Sequence, residues 1–343
     1  MTDAIAQASA TDTAQYKRKH TMLSSTADHL FWMARYVERA ENTARMLDAN
    51  LQSSLLPQAG AAPGEVWHTM LSLSELKEAY FARHDQVRSD RMLDFMVSDT
   101  SNLSSIYCSF RAARENARAV RGALTTELWE TFNTTWLEMN QQLKEGMHQK
   151  SPGEFFEWVK FRSHLSRGVL IGTMLNDEAF RFARLGTFLE RADNTARILD
   201  VNFRRQAEQD AVQISEGEQN DSLQRDYYHW ASLLRSLSAF ENYRKVYRHA
   251  ITPDKVAELL ILRGDMPRSL RACLVEVESN LSVVANKQSQ ETERRAGMMH
   301  AELRFGRIDD ILHTGLHAYL TDFLERINDL GARISQDFLV GER

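Results

Sequence analysis

The sequence predicts an all-α protein built as two tandem, pseudo-two-fold-related helical bundles of about six helices each. Three observations carry this. Only 5 Pro and 15 Gly occur in 343 residues, and β-branched runs are few, so helix breakers are scarce. Apolar residues recur at helical spacing: Met33, Tyr36, Val37, Ala40, Ala44, Leu47 and Leu51 share one arc of a helical wheel. Finally, Glu38–Asn50 (ERAENTARMLDAN) returns as Glu190–Asn202 (ERADNTARILDVN) with ten of thirteen positions identical. Unrelated sequences would match at about one position in sixteen. A repeat of this length is too long for a solenoid unit, which points to two homologous bundles with the motif helices near their common axis. The division expected is an extension over 1–21, a first repeat over 22–172 and a second over 173–343.

Residues Met1 to Thr21 are rich in Ala, Thr and Gln without a period, and read as a disordered extension. A long helix starts near Thr26 behind a Ser25/Asp28 capping box and runs to about Ser53, where Pro57–Gly64 breaks it. Helices are then expected over Trp67–Arg83, Val87–Val97, Ser101–Arg121 and Thr125–Met147, with a sixth opened by Ser151-Pro152-Gly153-Glu154. The second half repeats the order, beginning with Asn176 as cap. The offset grows from 152 at the motif to 163 at Trp67/Trp230 and 164 at Ser105/Ser269, so a polar insertion around Gln206 to Gln224 is expected to form a loop or frayed helix end. Thr252-Pro253 opens one further helix and Asp265 caps the next; periodicity continues from Leu303 to Leu339. Alanines 40, 44, 192 and 196 would let the two motif helices approach closely.

No run of eighteen apolar residues and no charged-then-apolar leader is present, which predicts a cytosolic protein with no membrane span. Cys108 and Cys273 lack metal or redox spacing and read as buried free thiols. A net charge of −5 argues against coating nucleic acid. Glu65–His68 and Glu145–His148 have the Glu-x-x-His spacing of a di-iron bundle but do not align across the duplication, so no metal is expected, and no phosphate loop or nucleophile elbow appears. Tryptophans 32, 129, 136, 158 and 230 sit among apolar residues and read as core.

Two constellations are candidate sites. Arg35, Glu38, Asn42 and Arg45 share a polar arc of the motif helix, and Glu190, Asn194 and Arg197 repeat it. Either this is an exposed i,i+4 ladder, with Glu41 to Arg45 and Asp193 to Arg197 in the favourable order, or it is a buried network needing its specific partners. In the second constellation Arg111, Arg114, Arg118 and Arg121 line one face of a helix beside Glu115 and Asn116, a pattern that first of all fits a solvated, ion-paired face and that also suits carboxylate or phosphate capture. Arg268 and Ser269 lie near a helix start behind Pro267, a weaker anion-binding signal.

The segments DHLFWMARYVERAENTARMLDAN, SIYCSFRAARENARAVR, SAFENYRKVY and MPRSLRACL, in that order from about Met22 onward, resemble the bacterial Alpha-E family of all-helical domains with a Glu-Arg motif. On this chain the family's motif residues are Glu38 and Arg39, then Arg114, Glu115, Asn116 and Arg118, then Pro267, Arg268 and Ser269, with Glu190 and Arg191 following from the duplication. The resemblance implies the company of a circularly permuted ATP-grasp protein, here acting in trans, and often of a transglutaminase-like protein. It implies a peptide-modifying system. The leading expectation is an accessory component of an amide ligase that binds an anionic amino acid, peptide or aminoacyl ligand through Arg35, Arg39, Asn42, Arg45, Arg111, Arg114, Asn116, Arg118, Arg191, Asn194, Arg197, Arg268 and Ser269. It needs no cofactor, and aminoacyl-tRNA is the one nucleic acid left open. A second expectation makes the protein itself a transferase or ligase with Glu38 or Glu190 as general base. A third makes it a structural interaction module.

Overall fold

A computed structural model describes residues 22–54, 65–216 and 222–339, and these are helical with no β-strand among them. The first half contains α1 (Ser24–Ser54), α2 (Glu65–Leu73), α3 (Lys77–Phe81), α4 (Ser89–Val97), α5 (Ile106–Ala119), α6 (Thr126–Lys144), α7 (Met147–Lys150) and α8 (Pro152–Thr173). The second contains α9 (Glu178–Glu216), α10 (Ser222–Ser236), α11 (Phe240–Tyr247), α12 (Pro253–Ile261), α13 (Leu270–Val284), α14 (Gln290–Phe305), α15 (Ile308–Thr314) and α16 (Leu316–Ile334), and closes on a π-turn, Ser335–Leu339. The expected disorder of residues 1–21 and the break at 57–64 lie outside the described residues.

Among the described residues each half holds eight helices where about six were expected, because two long periodic stretches are interrupted by residues with left-handed backbone. The stretch Trp67–Arg83 breaks at Glu75 (φ 55°) and Thr125–Met147 at Gly146 (φ 70°). In the second half Ser238 (φ 52°) and Gly315 (φ 99°) interrupt the chain in the same way. Three caps also differ. The fourth expected helix begins at Ile106 with Ser105 as its cap, because the Asn102 side chain donates to the Phe95 carbonyl (3.0 Å) and accepts from Ser104 N (3.0 Å), holding a loop ahead of it. Asp177, not Asn176, accepts from Phe180 N at the start of α9 (3.3 Å). Ser269, not Asp265, caps α13, since Asp265 is drawn into a pair with Arg263. The polar insertion is not a loop from Gln206: α9 continues as helix to Glu216, and Gln206 Nε2 donates to Asp226 Oδ1 of α10 (2.9 Å).

The centre of the molecule is the pair α1 and α9, packed along their lengths. Helix α1 also carries α5 and α8 of its own half, and α9 carries α13 and α16. Each central helix is further touched by the other half, α10 lying on α1 and α2 on α9. A helix covered on so many sides buries residues on most of its faces, apolar ones outside its polar arc. Accordingly Leu30, Phe31, Met33, Ala40, Ala44 and Leu47 of α1, and Ala183, Leu185, Ala192, Ala196 and Leu199 of α9, are completely buried. Glycine sets the closest approach: a Cβ on Gly186 would lie 2.1 Å from the Phe31 carbonyl oxygen, so only glycine fits there. Trp230 is fully buried, whereas Trp32, Trp129, Trp136 and Trp158 are half-buried. Two of the latter hold guanidiniums, Arg35 over Trp32 (4.9 Å) and Arg121 over Trp129 (5.4 Å). Both cysteines are free and buried.

Candidate functional site

Where α1 and α9 run together, the two Glu-Arg dipeptides meet and exchange partners. Arg191 donates from Nε to Glu38 Oε1 (2.8 Å) and from Nη2 to Oε2 (2.9 Å). Arg39 donates from Nε to Glu190 Oε1 (2.6 Å) and from Nη2 to Oε2 (3.1 Å). Each carboxylate therefore receives a two-pronged guanidinium from the opposite half, the strongest directional form of this contact. An aromatic ring backs each guanidinium: Phe188 lies 5.0 Å from Arg191 and Tyr36 5.5 Å from Arg39. The polar arc is thus a buried cross-link, not an exposed ladder, and Glu38 and Glu41 have no exposed surface.

Beyond this exchange the two sides differ. Glu38 also receives Arg167 of α8 (3.0 Å) and Arg268 (3.0 Å). Arg268 bridges further to Asn42 Oδ1 (3.0 Å) and to Glu41. Glu41 is additionally held by Arg45 (2.8 Å), Ser163 (2.7 Å) and Arg167. Glu190 has Arg35 (2.7 Å) beside Arg39. Asp193, at the position of Glu41 in the repeat, receives Arg197 (2.8 Å), which also reaches Glu75. Asn194, the repeat's counterpart of Asn42, is half-buried on α9.

Burial disfavours charge on Glu38, but Arg191, Arg268 and Arg167 outweigh it and hold the carboxyl down to about 2. Glu41 and Glu190 are likewise held below the usual range against the opposing effect of burial. This argues against Glu38 or Glu190 as a general base. A carboxylate whose lone pairs are taken by guanidiniums, and which resists protonation, is a poor proton acceptor. Asp193 behaves oppositely: burial dominates and raises it, despite Arg197.

At the edge of the cluster Arg45 donates from Nη1 to Ser238 Oγ (2.5 Å) and places Nη2 3.1 Å from His164 Nε2, while Arg167 Nη2 lies 2.7 Å from His164 Nδ1. Burial, and the guanidiniums of Arg167, Arg45 and Arg268, pull the imidazole below its ordinary value although Glu41 opposes them. The neutral ring has a single acceptor nitrogen for two guanidiniums.

The structure does not bring the second arginine constellation into this cluster. Arg114 donates to Asn133 (3.1 Å) and Glu115 (2.7 Å), Arg118 pairs with the same Glu115 (2.8 Å), and Arg111 lies over Tyr107 (5.7 Å). Asn116 Oδ1 accepts from His29 Nδ1 (2.8 Å) and its Nδ2 donates to the Ala112 carbonyl (2.8 Å). That face is ion-paired and partly exposed on α5. The Ser269 hydroxyl is occupied internally, accepting from Ala272 N (3.0 Å) and donating to the Arg263 carbonyl. His148 pairs with Asp94 (3.0 Å), and among the described residues no three His, Cys, Asp or Glu side chains are grouped as metal ligands.

Sequence reasoning missed Ser163, His164 and Arg167. Their signal was present in FRSHLSRG, where Ser163 and Arg167 stand at i and i+4 on one helix face with His164 at its edge, but nothing in one sequence tells that this face meets α1.

A family model described as Alpha-E, a predicted alpha-helical domain with a conserved ER motif, matches residues 22–339. No curated protein and no solved structure matches the chain.

Proposed function

Because the chain belongs to the Alpha-E family, we propose that it is a cytosolic accessory component of an ATP-grasp-type amide ligase system, acting in trans on that ligase. In this reading it binds an anionic amino acid, peptide or aminoacyl ligand at the cluster edge formed by Arg45, His164 and Arg167. The observation that carries it is the charge imbalance there. Four guanidiniums, Arg45, Arg167, Arg191 and Arg268, surround two carboxylates, Glu38 and Glu41. Two positive charges are left in excess, and the edge of the cluster reaches solvent through Arg167. Uncompensated buried charge favours a bound counter-ion, and carboxylate matches the planar guanidinium. We further read the two halves as duplicated bundles about an approximate two-fold axis, supported by the parallel contacts of α1 and α9 and by the matched left-handed residues Glu75 and Ser238.

Calorimetry with glutamate, aspartate and acidic dipeptides, together with pull-down of a genomically neighbouring ATP-grasp protein, tests this. Binding that weakens in His164→Ala and with added salt is expected. Absence of both ligand and ATP-grasp binding would sink the reading. The exchanged Glu-Arg pairs favour a second, structural role for the motif itself: it clasps the two halves, and the ligand site is built beside it.

A further inference from the structure

We infer that the mouth formed by Arg45, His164, Arg167 and Ser238 takes a phosphoryl dianion, as a phosphomonoester or an acyl phosphate, in preference to a carboxylate. This rests on the anion-binding reading of the cluster edge and names the ligand chemistry there.

The duplication supplies the comparison. Arg45 and Arg197 hold the same position in the two motif copies, and Glu75 and Ser238 stand at the matched offset of 163 with the same left-handed backbone. In the second copy Arg197 donates from Nη1 to the Glu75 carboxylate. In the first, Arg45 donates from the same nitrogen to the neutral Ser238 hydroxyl (2.5 Å). A negative charge that closes one site is therefore missing from the other. The balance of charge agrees. Around the second copy Arg35, Arg39 and Arg197 face three carboxylates, Glu190, Asp193 and Glu75, whereas the first copy keeps its excess of two positive charges.

The second guanidinium of the mouth also ends on a neutral group. Arg167 Nη1 reaches Glu38 (3.0 Å) and Glu41, but Nη2 meets His164 Nδ1 (2.7 Å), and the other ring nitrogen lies 3.1 Å from Arg45 Nη2. A neutral imidazole accepts at one nitrogen and donates at the other, so one of these contacts sets N–H against N–H. Protonating the ring would make both contacts repulsive and add a third positive charge. His164 and Ser238 are exposed, so the mismatch lies where a solute has access.

A carboxylate brings one charge, as Glu75 does in the second copy, and would leave half of the excess. A phosphoryl group brings about 1.5 to 2 negative charges at pH 7 and three strong acceptor oxygens. That is enough to engage Arg45, Arg167 and the donor nitrogen of His164 together. The Ser238 hydroxyl accepts from Arg45 and keeps its own proton to donate to the same group.

The test is calorimetry on the full chain at pH 8 and fixed ionic strength. Inorganic phosphate, methyl phosphate and acetyl phosphate are compared with acetate, glutamate and dimethyl phosphate, the last a monoanion with the same phosphorus centre. The dianions should bind saturably and at least about tenfold more tightly than the monoanions. Tighter binding of acetyl phosphate than of methyl phosphate marks an acyl phosphate as the ligand; equal binding marks the phosphomonoester. Ser238→Glu rebuilds the arrangement of the second copy on a backbone that Glu75 already adopts. It should weaken phosphate binding by about tenfold or more with the melting temperature maintained. His164→Ala should weaken it as well, and Arg118→Gln on the separate arginine face of α5 should leave it unchanged. Acetate or glutamate binding as tightly as methyl phosphate overturns this inference and leaves the anion-binding reading standing. No saturable heat from any of these anions up to about 10 mM overturns the inference together with the ligand half of that reading. Phosphate binding that is unchanged in folded Ser238→Glu puts the ion elsewhere and overturns the inference alone.

Discussion

Replacing Glu38 by glutamine keeps the side-chain volume and removes the charge on which three guanidiniums converge. Arg191, Arg268 and Arg167 would remain in place around a neutral amide. Removing one partner of a buried ion pair costs about 3–5 kcal/mol, because the surviving charge is left without compensation. Linkage gives an independent figure. The carboxyl falls from 4.5 to about 2 on folding, which corresponds to about 3 kcal/mol. The sign follows from the depressed folded-state value: this stability is fully present above the unfolded pKa of 4.5 and is lost as pH falls from there toward about 2. Urea unfolding at pH 7 should therefore show a loss of about 3 kcal/mol for Glu38→Gln, and the gap between wild type and variant should narrow as pH drops below 4.5. Glu190→Gln should lose less, since Glu190 has two guanidinium partners and is 7% exposed. A loss under about 1 kcal/mol for Glu38→Gln, or a gap that does not change in acid, would refute the claim that the exchanged pairs hold the halves together.

Other outcomes follow from single contacts. Gly186→Ala should lower the melting temperature severely, as its Cβ would stand 2.1 Å from the Phe31 carbonyl and α1 and α9 would have to separate; a melt within a degree or two of wild type would show that the helices have slack. Burial pushes the Cys273 thiol up to about 12, so native protein at pH 8 should resist iodoacetamide at this position, with labelling by mass spectrometry appearing only in denaturant. Arg248 closes α11 with φ 56° and is exposed, so Arg248→Gly should raise stability by about 0.5–1 kcal/mol in thermal melts, provided its side chain contributes nothing else.

The helical class and the central position of the motif are properties of periodicity and of repeated residues, and one sequence carries those signals; that the polar arc is buried instead of forming an exposed ladder was decided only by the packing of α1 against α9. Glu38 with Asn42 and Arg45 lies three, four and three residues apart with its neighbours, and helix geometry alone puts them on one face. Helix ends were less legible, because Glu75 and Ser238 adopt left-handed backbone that neither residue type favours. Partner choice was not legible at all. That Glu38 takes Arg191 and Glu190 takes Arg39, instead of each pairing within its own dipeptide, depends on how α1 and α9 lie against each other, and adjacent residues on a helix point apart. Arg167 and Arg268 come from elements 129 and 230 residues away from Glu38. Local periodicity is written in neighbouring residues; which charge neutralises which is decided by contacts between distant ones, and only the assembled tertiary structure holds that information.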